Sequence, residues 1–190
     1  PLALEAMRVV DRSSCERGSD VAGTFALWEQ VRAALAAAQL TEGSRVNEAR
    51  LLTYERTLDP QRERVLEQNV LVKSGPTRKP WVAWPLDSLR KFGYVVNNLD
   101  GSTTFHAPDL TILLSDAFIA DHCFRVVGGN DASRIGVAFE PTRERRHVPG
   151  IAGTLWLERR TSELRNMDFR YVNTSRGRFF DRGGGSMRFV

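Results

Sequence analysis

The chain has 190 residues, 42% of them hydrophobic and 26% charged, with a formal net charge of +4. This length is enough to bury a core without metals or several crosslinks, and the composition is typical of a globular rather than a disordered protein. Its longest apolar run, "TILLSDAFIA", falls short of the roughly 18 to 20 residues of a membrane-spanning helix. The basic residues are spread along the chain without a recognised binding motif, which argues against nucleic acid as a partner.

Residues 1–19 are predicted to form an extended lead-in or a linker from a preceding domain, and residues 20–190 one domain. The first residue is Pro rather than Met, so we expect a processed product. A helix is predicted from Thr24, as N-cap, to about Leu40, with Gly43 placed to end it. Its apolar residues share one face at helical spacing: Trp28, Val31, Leu35 and Ala38.

After this helix the hydrophobic period changes from 3.6 to 2, which indicates strands. Residues 45–74 are predicted to form a long hairpin with an exposed polar face, and residues 86–91 a short helix. The turn "NNLDGS" predicts a second hairpin between "YVV" and "TTFHA", because Asp-Gly supplies the positive φ of a tight reversal. Ser115 is placed to cap a short helix that ends at Asp121.

The last third of the chain contains three further antiparallel candidates: "RIGVAFEP", "IAGTLWLERR" and "SELRNMDFRYVN". The basic cluster "RERRH" at 143–147 is predicted at a hairpin tip. "DRGGGS" is interpreted as a flexible linker, and "MRFV" as the start of a strand in a domain that continues past Val190. Together these elements predict an α+β fold, in which a long N-terminal helix packs in a curved antiparallel sheet of roughly seven to nine strands.

The two cysteines, Cys15 and Cys123, have three interpretations. An even cysteine count in an exported protein favours a disulfide, which would tie the lead-in to a central strand. Two buried free thiols that pack as small apolar residues are the second interpretation. The third, a nucleophilic Cys123 with His122 as its base, is disfavoured because adjacent residues of a strand point to opposite faces.

His106, Asp109 and His122 are weak candidates for metal ligands, with Asp116 and Asp121 nearby. Their spacing matches no established pattern, and the alternative is that the aspartates cap turns while His122 is a surface or a satisfied interior imidazole. The chain contains no catalytic elbow, phosphate loop or zinc-protease motif, so no catalytic residue and no cofactor is predicted.

Five aromatic residues are candidates for a ligand-binding cavity or a sugar-stacking surface, with core packing as the alternative. These residues are Trp81, Trp84, Phe92, Trp156 and Phe169.

The stretch "GTLWLERRTSELRNMDFRYVN" resembles the repeating hairpin of lipoprotein-carrier-like (LolA/LolB-like) half-barrels, and the resemblance extends over residues 24–172. With "APDLTILLSDAFIADHCFRV" and "IGVAFEP", the chain is also similar to uncharacterised bacterial envelope proteins in which such a region follows a carboxypeptidase-regulatory-like domain. The resemblance implies a periplasmic or extracellular location and a binding, carrier or structural role.

Three functions are therefore in contention. The first is a non-catalytic binding or structural domain of a secreted or cell-envelope protein, which holds an apolar small molecule or lipid in a concave sheet. The second is a self-assembling envelope or filament subunit that pairs edge strands at "YVV" or "MRFV" with a protein partner. The third is a hydrolase or metal-dependent enzyme that uses residues 106–123, and it requires His106, Asp109 and His122 to converge.

Overall fold

A computed structural model describes residues 15, 21–44, 47–59, 64–77, 82–129, 131–174 and 183–189. Of the predicted lead-in, residues 1–19, only Cys15 lies within the described residues. The fold class is α+β, as predicted, but the described strands form a five-stranded antiparallel sheet and two two-stranded sheets rather than one sheet of seven to nine strands, because the pairing stops at β2 and at β4. The chain divides into two compact units, one of residues Gln39–Val82 and one of the chain on either side of it, and each is described by itself.

The elements are, in chain order, α1 (Val21–Ser44), β1 (Asn47–Leu58), β2 (Val65–Thr77), α2 (Leu86–Phe92), β3 (Val95–Asn97), β4 (Thr103–Phe105), α3 (Leu110–Leu113), α4 (Asp116–Asp121), β5 (His122–Gly128), β6 (Arg134–Pro141), a 3-10 helix (Arg143–Arg145), β7 (Gly150–Glu158), β8 (Leu164–Val172) and β9 (Gly184–Arg188). Strands β5 to β9 form the large sheet in sequence order, and every neighbouring pair is antiparallel.

One face of the large sheet, here called the inner face, carries the core. Alternate residues of β6, β7 and β8 point to it, and Val137, Leu155 and Met167 are fully buried there. From α1, the buried residues Trp28, Val31 and Leu35 join the same apolar cluster, as their helical spacing predicts. The opposite, outer face carries the polar positions of the same strands, because the side chains of a strand alternate between faces.

Helix α1 begins earlier than predicted, and Thr24 is not its N-cap. Thr24 lies inside the helix with 8% of its surface exposed, and among the described residues its Oγ1 has no hydrogen-bond partner. The prediction was wrong because a Thr before an apolar stripe also suits an interior helical position when the helix continues on its N-terminal side. Ser115 does cap α4, since its Oγ accepts a hydrogen bond from the Phe118 amide at 3.1 Å.

The cluster at 143–147 lies in the connection between the antiparallel neighbours β6 and β7, as the predicted hairpin tip, and Arg143–Arg145 form a 3-10 turn there. The glycine run at 183–185 is not a free linker, since β9 begins at Gly184 and pairs with β8. A Cβ at Gly184 would overlap the carbonyl oxygen of Phe169, so this close pairing needs a glycine.

The second unit contains the predicted hairpin, with β1 and β2 paired antiparallel from Asn47–Thr77 to Leu58–Val65. Its loop is closed by a hydrogen bond from the Asp59 amide to the Arg64 carbonyl at 2.8 Å. The prediction that the hairpin has an exposed polar face is wrong for β2. Apolar residues on both faces of that strand are between 41% and 67% exposed: Val65, Leu66, Val70, Leu71 and Val72.

Candidate functional site

Cys15 and Cys123 form a disulfide whose Cα atoms are 5.7 Å apart, and the two residues are separated by 108 positions. In this state Cys123 has no thiol to act as a nucleophile. Cys123 also lies on the outer face of the sheet, whereas its neighbour His122 points to the inner face and is buried. The arrangement of a thiol with an adjacent imidazole base is therefore not formed.

His122 is a buried imidazole packed between aromatic rings. Its ring stacks on Phe118 with centroids 4.0 Å apart, and Phe139 contacts it edge-on at 5.6 Å. Nδ1 lies 2.8 Å from the Phe118 carbonyl oxygen, so it donates in the neutral ring. Burial lowers the pKa of His122 to about 4, although hydrogen bonding to the Phe118 and Ile151 backbone and the charge of Asp121 oppose that change.

An ion-pair cluster surrounds Asp121 at the end of α4. Arg90 Nε lies 3.0 Å from Oδ2, and Arg145 Nε lies 3.8 Å from the same oxygen. Arg145 also donates a hydrogen bond from Nη2 to the Arg90 carbonyl at 2.7 Å. Tyr94 lies beside this cluster, and burial raises its pKa well above the ordinary value for a phenol. The contacts among Arg90, Asp121 and Arg145 join α2, α4 and the 3-10 helix.

The other two metal candidates have separate roles. Asp109 caps α3, because its Oδ1 accepts from the Ile112 amide at 2.9 Å and its Oδ2 from the Ala83 amide at 3.1 Å. His106 stacks on Trp84 with centroids 4.4 Å apart and nearly parallel planes, and burial lowers its pKa. Within the described ranges, His, Cys, Asp and Glu residues nowhere come together in a group of three that could hold a metal ion.

The five aromatic candidates do not form one site. Trp84 and Phe92 are neighbours, with ring centroids 5.9 Å apart, and the ammonium group of Lys91 lies 5.0 Å from the Phe92 centroid. Phe169 belongs to the core, where it contacts Tyr171 edge-on. Trp156 lies on the outer face of the sheet. Trp81 lies outside the described residues.

Trp156 lies in a groove on the outer face, with a volume of about 430 Å³. Small residues contributed by β6 and β7 form its floor: Ala138, Ala152, Gly153 and Thr154. Charged side chains of both signs stand along it: Arg125, Glu140, Asp168 and Arg170. The register places Arg125 opposite Ala138, Arg170 opposite Ala152 and Asp168 opposite Thr154. Each of these three charged side chains therefore faces a short residue on the neighbouring strand, which leaves the space that forms the groove.

The indole of Trp156 lies across a glycine on the neighbouring strand. Trp156 pairs with Gly136, and a Cβ at Gly136 would lie 2.9 Å from Trp156 Cε3. This glycine lets a large ring lie close to the backbone of β6, where a side chain would displace it. Trp156 is partly exposed, so part of its surface remains available to a ligand.

A second hollow of about 230 Å³ continues the groove past the disulfide. It shares Cys123, Glu140, Ala152 and Arg170 with the first and adds Arg143 and Arg146. Across both hollows the lining carries four arginines and two carboxylates, so the surface has a net positive charge. Anionic groups are therefore favoured there over cationic ones.

Sequence reasoning identified Trp156 but missed the charged residues around it. The sequence did contain a signal, because charged residues alternate with apolar residues along the strands: Arg125, Glu140, Asp168 and Arg170. The same alternation is typical of any sheet with one face in solvent. Only the pairing register shows that short residues lie between these charges.

No family model matches the chain, and neither a curated protein nor a solved structure matches it. Among the helices within the described ranges, none is long and apolar enough to cross a membrane.

Proposed function

We propose that this chain is a non-catalytic binding domain of a secreted or cell-envelope protein, and that its ligand lies in the outer-face groove. The observation that carries the proposal is the groove itself, in which Trp156 and two arginines stand over a floor of small residues, and the hollow that continues it adds two more arginines. The disulfide supports an extracytoplasmic location, because such bonds persist in oxidising compartments. The proposal includes a lipoprotein-carrier-like half-barrel wrapped around α1.

The chemistry of the lining favours an elongated, polar, negatively charged ligand, such as an acidic polysaccharide. A tryptophan offers a flat surface for a sugar ring, and guanidinium groups bind carboxylates in a bidentate manner. An apolar ligand fits less well, since the inner, apolar face is filled by side chains such as Leu155, Leu157 and Met167, which are fully buried.

A non-catalytic role is supported by how the ionisable groups near the sheet are used. The buried His122 donates from Nδ1 to the Phe118 carbonyl, and Asp121 is paired with two arginines. Groups held in this way stabilise the fold, whereas a general base needs a lone pair directed at a substrate. The hydrolase alternative required His106, Asp109 and His122 to converge, and their separate contacts do not meet that requirement.

Tryptophan fluorescence tests the proposal with three probes: a uronic-acid polysaccharide, neutral dextran and fatty-acid vesicles. We expect the acidic polysaccharide to bind and the binding to weaken with salt. Arg170→Gln should weaken it about tenfold or more, since a charge-assisted hydrogen bond contributes on the order of 1.5 to 3 kcal/mol. Trp156→Ala should weaken it as well, because it removes the flat surface on which a sugar ring stacks. Trp84→Ala is the matched control, because it removes a tryptophan that is not part of the groove lining.

Binding of fatty acid but not polysaccharide, unchanged in Trp156→Ala, would instead support the apolar ligand and move the site away from the groove. Loss of binding in Trp84→Ala alone would assign the site to Trp84 and Phe92. Failure of all three probes to bind would contradict the proposal of a ligand groove.

The alternative of assembly through edge strands has two supporting observations. Within the described residues β9 pairs with β8 and with no second strand, so its other edge offers backbone groups to a partner. Strand β3, the "YVV" candidate, likewise pairs with β4 on one side and with no described strand on the other. A polymer whose formation is blocked by Ser186→Pro would favour this function over that of a monomeric binder.

A further inference from the structure

Among the described strands, β2 is paired along one edge only, and its other edge is open along its whole length. It pairs with β1 in a two-stranded sheet, and the described residues supply no strand on its other side. Two-stranded ribbons are only marginally stable in water, whereas three or more strands with a covered apolar face are stable. A third strand is therefore the addition that would stabilise this unit most.

The composition of β2 does not protect that edge. Val70, Leu71 and Val72 are each more than 40% exposed, and the segment 66–74 contains no proline. Edge strands that must stay unpaired are normally protected by proline, by a bulge or by rows of charge. In β2 the proline is Pro76, near the C-terminal end of the strand, so the segment before it remains open to pairing.

Two charges are placed symmetrically in this segment. Glu67 and Lys73 are both exposed, and each is three residues from Val70. In an antiparallel pair of identical strands, the twofold axis passes through a residue that pairs with its own copy. An axis through Val70 sets Glu67 of each copy opposite Lys73 of the other, which produces two complementary charge pairs.

Other registers lose this match. An axis through Asn69 sets Glu67 opposite Leu71 and Lys73 opposite Val65. An axis through Leu71 sets Glu67 opposite Gly75 and Lys73 opposite Asn69. Opposite charges that face each other across strands are stabilising and like charges destabilising, so the Val70 register is the one that the charges of β2 favour.

We propose that β2 is a self-association edge, which pairs antiparallel with β2 of a second copy about a twofold axis at Val70. The product is a continuous four-stranded sheet in the order β1-β2-β2-β1. The two copies of Val70 lie opposite each other at its centre, with Gln68 opposite Val72 on either side. This edge differs from β3 and β9 and is independent of ligand binding in the groove.

Charge reversal in the full chain tests the proposal by sedimentation velocity. We expect the wild type to be a dimer, and Glu67→Lys and Lys73→Glu each to associate at least about tenfold more weakly, because each creates two like-charge pairs. An equimolar mixture of the two variants should form a heterodimer, since all its pairs are again complementary. The double variant Glu67→Lys/Lys73→Glu should also recover the dimer.

The mixture is the decisive arm, because a variant that had failed to fold would not be rescued by mixing. Glu144→Lys is the matched control, as it reverses an exposed charge in the 3-10 turn, and it should leave the dimer unchanged. Val70→Cys should crosslink two copies under oxidising conditions, while Asn69→Cys, which faces Leu71 in this register, should crosslink far less. A monomeric wild type, or a dimer that both single variants leave intact, would overturn the proposal.

Discussion

The large sheet and the β1–β2 hairpin use similar residues with opposite results. In β6, "RIGVAFEP", the inward residue Val137 is fully buried and Phe139 nearly so. In β2, "VLEQNVLVKSGPT", Val70 and Val72 remain nearly half exposed. The difference does not come from the strand sequences. It arises because helices and neighbouring strands cover the inner face of the large sheet, whereas the described residues give the hairpin two strands and no third.

An apolar strand therefore indicates a covered face but not which element covers it. A strand can be covered by its own chain or by another molecule, and its apolar side chains look alike in both cases.

Removing the disulfide should have the largest effect, because Cys15 and Cys123 lie 108 positions apart and the loop between them includes the whole hairpin. Cys15→Ser/Cys123→Ser is expected to lower the free energy of unfolding by about 4 kcal/mol, mainly by freeing the unfolded chain. Urea denaturation of the variant and of the oxidised wild type measures this. A loss below about 1 kcal/mol would show that the unfolded chain is restricted by other means.

Truncating one leucine in each unit tests the comparison directly. Leu155→Ala, at a fully buried position, is expected to lower the free energy of unfolding by about 3 kcal/mol through lost burial and a cavity. Leu66→Ala, at a residue that is 67% exposed, should change it by less than about 0.5 kcal/mol. Urea titrations of both variants at low protein concentration provide the measurement. Equal losses would mean that β2 is covered as well as β7.

Acid should destabilise the unit that holds His122. Its pKa is about 4 in the folded chain against an ordinary 6.5, so between these values the unfolded state binds the proton and the folded state does not. Stability is therefore expected to fall as the pH decreases from about 6.5 to 4, by about 3 kcal/mol in total. Unfolding free energies measured across this range should lose most of that slope in His122→Phe. The matched control His147→Gln, at an exposed residue, should keep it.

Replacing one glycine by alanine in each unit should give the smallest difference in stability. Gly93 has a φ of +86°, and a Cβ there would overlap the Pro149 carbonyl oxygen. Gly93→Ala should therefore cost about 2 kcal/mol. A Cβ on Gly75, in β2, would extend into open space, so Gly75→Ala should be close to neutral. Thermal melts of both variants check the pair, and a stable Gly93→Ala protein would show that the α2–β3 turn can relax.

Local signals accounted for many of the elements. Hydrophobic periodicity, turn residues and capping residues predicted the hairpin across 45–74, the short helix near 86–91, the turn at Gly101 and the Ser115 cap. Each of these elements depends on residues within a few positions of each other, so a short stretch of sequence contains the interactions that form it. The prediction for Thr24 was wrong because an N-cap and an interior position differ only in whether the helix extends beyond the residue on its N-terminal side. Whether it does so depends on packing against the rest of the fold.

The candidate site was less predictable. Trp156 was identified by residue type, but nothing in the sequence distinguished it from Phe169, which is in the core. The floor of the groove is formed by Ala138, Ala152 and Thr154 from two strands, and their alignment depends on register. Register is a long-range property, set by which face is buried and by where the irregularity between β7 and β8 falls.

Signals within a few positions of each other predicted the α+β class, the apolar face of α1 and the alternating strands, and a chain with two cysteines can form only one disulfide within itself. These features depend on hydrophobic periodicity, on capping residues and on residue counts. Packing and strand pairing set which face of each strand is covered, place the charges of the outer face around a groove, and leave β2 with an open edge among the described strands. These depend on contacts between residues far apart in the chain, whose free energy is gained only when the elements pack.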